Sequence, residues 1–184
     1  TRANALYRAL MGVAELVVRA QSERELLDEL CRLLVQSQMF SQVWIARPNI
    51  TGNLEIQAIF STIKLKEYWY LPNVYTGDED RILAVRAWRH SRLQYTNDRL
   101  ADLEYPAIQN FYRQHGLRAT AVVPLYRDGD LWALLTLLSH QANIFNPELL
   151  ELLERIGRLV GHGLDSIDLR QILEEERQHQ SWLA

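Results

Sequence analysis

Residues 119–127 and 131–139 are two almost wholly apolar runs separated by Asp128-Gly129-Asp130. Asp-Gly favours the positive backbone angles of a tight antiparallel turn, so this stretch is predicted as a β-hairpin. A second pair lies upstream. Residues 42–47 carry the β-prone Val43, Trp44 and Ile45, Pro48 ends the run, and Gly52-Asn53 turns the chain. Leu54, Ile56, Ala58 and Phe60 then alternate with their neighbours over 54–60. A third short strand is predicted at 92–96, ended by Asn97-Asp98.

Helices are predicted at both ends of the chain. Leu6, Leu10, Val13 and Val17 are spaced four, three and four, which makes one face of a helix over 3–20. Ser22 and Glu25 form a capping box opening a second helix, with Leu26, Leu30, Leu33 and Leu34 on its buried face. Asn146-Pro147-Glu148 supplies a cap, a first-turn proline and a carboxylate at the positive end of the dipole. In the helix that follows, Leu149, Leu153, Ile156, Val160, Gly163 and Ile167 repeat in fours and threes, and the sequence turns polar from Glu174. Shorter helices are predicted at 82–90 and 106–114, the latter opened by Pro106 and closed by Gly116. Segment 63–81 reads as a long, partly helical connection. The plan is α+β: one antiparallel sheet, terminal helices on one face, loops and short helices on the other. The boundaries drawn are a domain over 1–168 and a helical linker over 169–184. The first residue is Thr1 and the sequence stops inside a helical pattern, which reads as a segment of a longer protein.

The net charge of −3 provides no global field toward nucleic acid or an anionic membrane. No apolar run approaches the ~20 residues that span a bilayer. One cysteine, Cys31, excludes an internal disulfide and a cysteine-based zinc site, and points to a reducing, cytoplasmic setting. The five histidines, His90, His115, His140, His162 and His179, form no metal-spaced cluster, so no metal is expected and no cofactor is identified. There is no glycine-rich phosphate loop and no nucleophile, base and acid set that sequence places together, so no enzyme activity is expected.

The stretch Gly116-Leu117-Arg118-Ala119-Thr120-Ala121-Val122-Val123-Pro124-Leu125 resembles a GAF domain, as do the hairpin after it and Phe145-Asn146-Pro147-Glu148 before the last helix. Ala87-Trp88-Arg89 and Tyr95-Thr96-Asn97-Asp98 are similar to that family's middle section, so the likeness covers roughly 6–168. It implies a sensory or regulatory domain with a small-molecule cavity between sheet and loops, the alternative being a dimerisation module with no ligand. Bilin-binding relatives carry a cysteine where this chain has Ala107, with a histidine often following where it has Ile108, so covalent bilin attachment is not expected. GAF-type methionine sulfoxide reductases use several cysteines, which one thiol does not supply. A haem-binding relative would need an axial histidine, for which His115 and His90 are the candidates. Residues 177–184 resemble the linker that often precedes a GGDEF diguanylate cyclase domain, so control of cyclic-di-GMP synthesis is the expected output.

The expected ligand-binding residues are Trp69, Tyr75, Tyr95, Asn97, Asp98, Tyr105, Ile108, Phe111, Tyr112, Thr120 and Val122, with Trp44 among the aromatics available to a planar ligand. At about 1.5 Å per residue the last helix would span roughly 55 Å, more than one sheet face needs. A parallel homodimer through the terminal helices is therefore expected, using Leu6, Leu10, Val13, Val17, Leu149, Leu153, Ile156, Val160 and Ile167.

Overall fold

The structure is a computed structural model that describes residues 2–63, 71–101 and 106–183; the side chains of Arg2 and Ala107 are also left undescribed. Helices α1 (Arg2–Arg19) and α2 (Glu23–Gln36) precede the hairpin β1 (Gln42–Pro48) and β2 (Leu54–Ser61). Then come α3 (Leu83–His90), β3 (Gln94–Thr96), α4 (Pro106–His115), β4 (Ala119–Arg127), β5 (Asp130–Ser139) and α5 (Pro147–Leu183). The five strands form one antiparallel sheet in the order β2-β1-β5-β4-β3. Asp128 and Gly129 both take positive φ, 52° and 79°, as the hairpin requires.

The helix starts follow from their caps. Ser22 Oγ accepts from Glu25 N at 3.1 Å, while the Glu25 carboxylate reaches back to Gln21 N, one residue earlier than a strict capping box. Asn146 Oδ1 accepts from Leu149 N at 2.9 Å, ahead of Pro147 in the first turn of α5. Segment 63–81 departs from expectation: its described part, 71–81, is made of turns and the isolated Asn53–Asn73 bridge and holds no helix. The rest of that expectation lies outside the described residues.

The sheet divides the core in two. On one face, Val43, Ile45, Ala119, Ala121, Val123, Leu125, Ala133, Leu135 and Leu137 join α1, α2 and α5 in a single continuous cluster. Helices α2 and α5 lie on the sheet and α1 packs against both. Gly157 and Gly161 let α5 approach β4 closely. A Cβ at Gly157 would stand 3.1 Å from Val123 Cγ1, and one at Gly161 would stand 3.0 Å from the Tyr126 carbonyl oxygen.

The same packing revises the expected dimer stripe. Leu6, Val13, Leu149, Leu153, Ile156, Val160 and Ile167 are buried within the chain, and Leu10 and Val17 pack against that core. The four-three spacing marks the face each terminal helix turns toward its own domain, because that face gains the most buried apolar area. A twin chain would have to use other residues.

At the far end of the hairpin, Arg127 is an ion-paired hub. Its guanidinium donates to both carboxylate oxygens of Asp168 on α5 at 2.8 and 2.5 Å, and also pairs with Glu23 at the start of α2. Its Cζ lies 4.9 Å from the ring of Trp132, which Arg47 approaches at 4.6 Å. Trp132 is the extra residue where the β4–β5 register shifts between Leu125 and Tyr126. Asp128 N donates to Asp165 beside it. This hub holds α5 at its last buried residues; from Leu169 onward every described residue of the helix is exposed.

The Arg127 hydrogen bond lowers the Asp168 pKa against the opposing effect of burial. A carboxyl lowered in the folded state contributes stability above its unfolded pKa of about 3.9, and that contribution is lost as pH falls through the folded value. Asp168→Asn is expected to melt earlier than the parent at pH 7, by about 1 kcal/mol of stability, with the gap closing as pH falls below the ordinary carboxylate range. Thermal melts across pH 2–7 check this; a gap independent of pH would assign Asp168 no ionic role.

Candidate functional site

The other sheet face is covered by α3, α4 and connecting segments, and its packing is discontinuous. One cluster holds Ala46, Leu54, Val74, Leu83, Ala87, Val122 and Leu134; a second holds Tyr112, Leu117 and Leu138. Trp44 packs against both. Between them lies a cavity of about 460 Å³. Protein interiors rarely leave voids of this size unfilled, and ligand sites are commonly apolar concavities with a few polar groups.

The strand period builds the floor. Trp44 and Ala46 of β1, Leu134, Thr136 and Leu138 of β5, and Thr120 and Val122 of β4 all face the cavity, while their neighbours face the helices. The register places them on successive rungs. Gln42, Leu138, Thr120 and Thr96 share one; Trp44, Thr136, Val122 and Gln94 share the next; Ala46, Leu134 and Pro124 form the third. The first rung is the polar one. Gln42 is fully buried there; its Nε2 donates to Ser61 Oγ, whose own hydrogen goes to the Ile63 carbonyl, so the amide orientation is fixed. Gln42 Oε1 has no hydrogen-bond partner among the described residues.

The walls come from elsewhere. From α4, Ile108, Phe111, Tyr112, Asn110 and Gln114 line the cavity; from α3 and its approach, Ile82, Leu83 and Ala84 do, with Leu54, Leu71 and Pro72 beside them. Tyr112 Oη and Thr120 Oγ1 are 2.8 Å apart in a buried hydrogen bond that ties α4 to the floor. Arg99, 6% exposed, lines the cavity with its Cζ 5.1 Å from the Tyr112 ring centre.

Of the expected ligand-binding residues, Ile108, Phe111, Tyr112, Thr120 and Val122 come together on this cavity. Trp69 and Tyr105 lie outside the described residues. The other four do not line it. Tyr75 is exposed and rests its ring against Gly52. Tyr95 pairs with Ala121, which faces the helices, and its ring lies 6.2 Å from Phe145 on that side. Asn97 clamps the loop before α5: its Nδ2 donates to the Phe145 carbonyl and its Oδ1 accepts from Phe145 N. Asp98 accepts two hydrogen bonds from Arg118, at 2.9 and 2.6 Å, and that pairing holds its carboxyl below the usual range. Polar residues at a strand end are equally suited to tying loops, and here they do so. Sequence reasoning missed Ala46, Leu54, Leu83, Arg99, Leu134, Thr136 and Leu138. Thr120 and Thr136, hydroxyls inside two apolar strands, were the available signal for the cavity face.

None of the histidines, His90 and His115 included, lines the cavity, and no three or more metal-ligating side chains cluster among the described residues. Cys31 is buried in the helix-side core, across the sheet from the cavity, and burial pushes its thiol up to about 12. No helix among the described residues is long and apolar enough to cross a membrane.

Residues 20–165 match the family of the GAF domain, and the chain belongs to that family. No curated protein sequence matches it. Among solved structures it is similar to the free methionine-R-sulfoxide reductase of Neisseria meningitidis in complex with its substrate. That pair has a TM-score of 0.72 at 14% identity, over 90% of this chain and 91% of the other. It is also similar to fRMsr of Staphylococcus aureus in its reduced form, with a TM-score of 0.69 at 15% identity over 86% and 94%. A third similar structure is the GAF domain region of a Geobacter sulfurreducens PCA protein, with a TM-score of 0.59 at 20% identity over 76% and 91%. Likeness at these identities concerns the fold. It nevertheless corrects the expectation that enzyme activity is absent, because the fold this chain adopts is one that reductases use.

Proposed function

We propose that this GAF domain is a regulatory module that takes a small molecule into the cavity between its sheet and α3–α4. The cavity itself carries the reading: about 460 Å³ enclosed mainly by apolar side chains, in a protein whose other sheet face is closely packed. A route to the output follows from β4. Its Thr120 and Val122 face the cavity, while its Val123 and Leu125 face α5, and Arg127 at its end holds Asp168. A ligand would act by binding two arrangements of this wall unequally.

The uncharged dye N-phenyl-1-naphthylamine, which brightens in apolar surroundings, tests occupancy. The parent is expected to bind it saturably. Ala84→Trp, which places a large ring in the cavity wall, is expected to weaken binding by about tenfold or more, since the dye's apolar contacts are lost. Equal binding by both proteins, or none by the parent, would overturn the reading.

The output we assign is cyclic-di-GMP synthesis, on the likeness of residues 177–184 to the linker that precedes GGDEF domains. A fusion of this chain to such a cyclase is expected to change its product rate when the cavity is filled. An unresponsive fusion whose cavity binds dye would reject that output.

A homodimer is favoured by a different set of residues from those expected. Tyr7, Met11 and Val18 stand exposed on α1 at four- and seven-residue spacing, and Leu169, Ile172 and Leu173 stand exposed on α5. A helix of this length beyond the domain is marginal alone in water, so pairing with a second copy would stabilise it. Sedimentation is expected to show a dimer at micromolar concentration that Leu169→Glu with Leu173→Glu converts to monomer. A monomeric parent would dismiss it.

A further inference from the structure

We infer that the cavity recognises an uncharged aromatic alcohol of the phenol or naphthol class, whose hydroxyl is bound by Thr136 at the centre of the sheet floor. This rests on the ligand-binding reading above and adds the chemical class and the residue that selects it.

Thr136 is the one polar residue in the run from Leu131 to Leu138. It lies on β5, the middle strand of the sheet, with Trp44 of β1 on one side of it and Val122 of β4 on the other. Leu134 and Leu138 flank it along the same face of the strand, and all five residues line the cavity. Thr136 is 5% exposed, and that remainder opens on the cavity. Among the described residues none hydrogen-bonds its hydroxyl, and its oxygen is not one of the sealed polar atoms. Thr120 differs on this point. It lies one rung along on the neighbouring strand, about 8 Å away diagonally, and its hydroxyl is already bonded to Tyr112 Oη at 2.8 Å.

A hydroxyl ringed by apolar side chains is a costly choice for the centre of a strand. Valine has the same shape, suits a strand equally well, and leaves no polar group to desolvate. A ligand hydroxyl removes that cost, because Thr136 carries one donor and two lone pairs and can either donate to it or accept from it. The ring behind that hydroxyl then packs on Trp44, Val122 and Leu134. An ionised group at this spot would lose its water among apolar neighbours. Arg99, the charged side chain of the described lining, is already engaged within the chain.

Displacement of the naphthylamine dye reports binding to the parent, to Thr136→Val and to Thr136→Ser. The competitors are 2-naphthol, 2-methylnaphthalene, in which a methyl group of similar size replaces the hydroxyl, and the charged 2-naphthoate. Thr136→Val is expected to weaken naphthol relative to methylnaphthalene by about fivefold, the loss of one neutral hydrogen bond. Thr136→Ser is expected to keep the parent's ratio, and naphthoate to displace dye least well from the parent. Thr136→Val is also expected to melt at or above the parent's temperature, because it removes a buried hydroxyl that has no partner among the described residues. A ratio unmoved by Thr136→Val overturns the inference and leaves the cavity's binding role intact. So does tighter binding of naphthoate than of naphthol. A valine variant that melts earlier or does not fold overturns it too, since the hydroxyl would then be holding the fold. Failure of the dye to bind the parent overturns both readings.

Discussion

The central hairpin is apolar on both faces, and every other part of the structure answers that constraint. Strands β4 and β5 sit in the middle of the sheet with a strand on each side, and away from the turn the residues on both faces of the pair are buried. An antiparallel sheet can leave one face wet only if alternate residues are polar. In β5 seven consecutive residues from Ala133 are buried, so two covering layers are needed. The two layers are made from different materials. Helices present a continuous apolar surface, and Gly157 and Gly161 bring α5 almost onto the β4 backbone. Turns and short helices cannot tile a flat face in the same way, because their backbone polar groups must be satisfied locally. Their side chains gather into two clusters, and the gap between them is the cavity.

This asymmetry separates the chemistry of the two sides. The helix side is sealed, and the one thiol, Cys31, is held there with its pKa raised by burial. The cavity side holds hydroxyls, amides and Arg99 within an apolar wall. One fold can serve proteins with different activities, which accords with a likeness in fold to reductases at low identity.

The frame was legible where local rules act alone. The Asp128-Gly129 turn, the Asn146-Pro147 helix start and the Ser22 cap each depend on a few adjacent residues. The site was half legible. Thr120, Val122, Ile108, Phe111 and Tyr112 lie near recognisable landmarks, whereas Leu134, Thr136 and Leu138 sit in a run with no alternation to say which residue faces which layer. Arg99 lies beside Asp98 in a loop, and nothing local distinguishes the residue that enters the cavity from the one that pairs with Arg118. The periodic stripes on α1 and α5 mark apolar faces, and the expected twin chain gives way there to the domain's own core. Periodicity identifies a face that must be covered and does not say by what; here the domain itself covers it.

Coupling between cavity and terminal helix then depends on how rigidly β4 joins them. The strand cannot shift toward the cavity without opening the glycine contact with α5. Shifting the other way presses the Tyr126 carbonyl toward the α5 backbone at Gly161, where the approach is already close enough that a Cβ would stand 3.0 Å from that oxygen. Close-packed contacts of this kind have discrete alternatives rather than a continuous range. The Arg127 hub sits where the strand ends and where the buried part of α5 ends, so a change in β4 register or tilt must either carry Asp168 with it or break the pairing. Beyond that point Arg170 still donates to the Ala20 carbonyl at 2.9 Å, and past it every described residue of the helix is exposed, so a rotation at Asp168 would pass that one further contact before reaching the remaining turns.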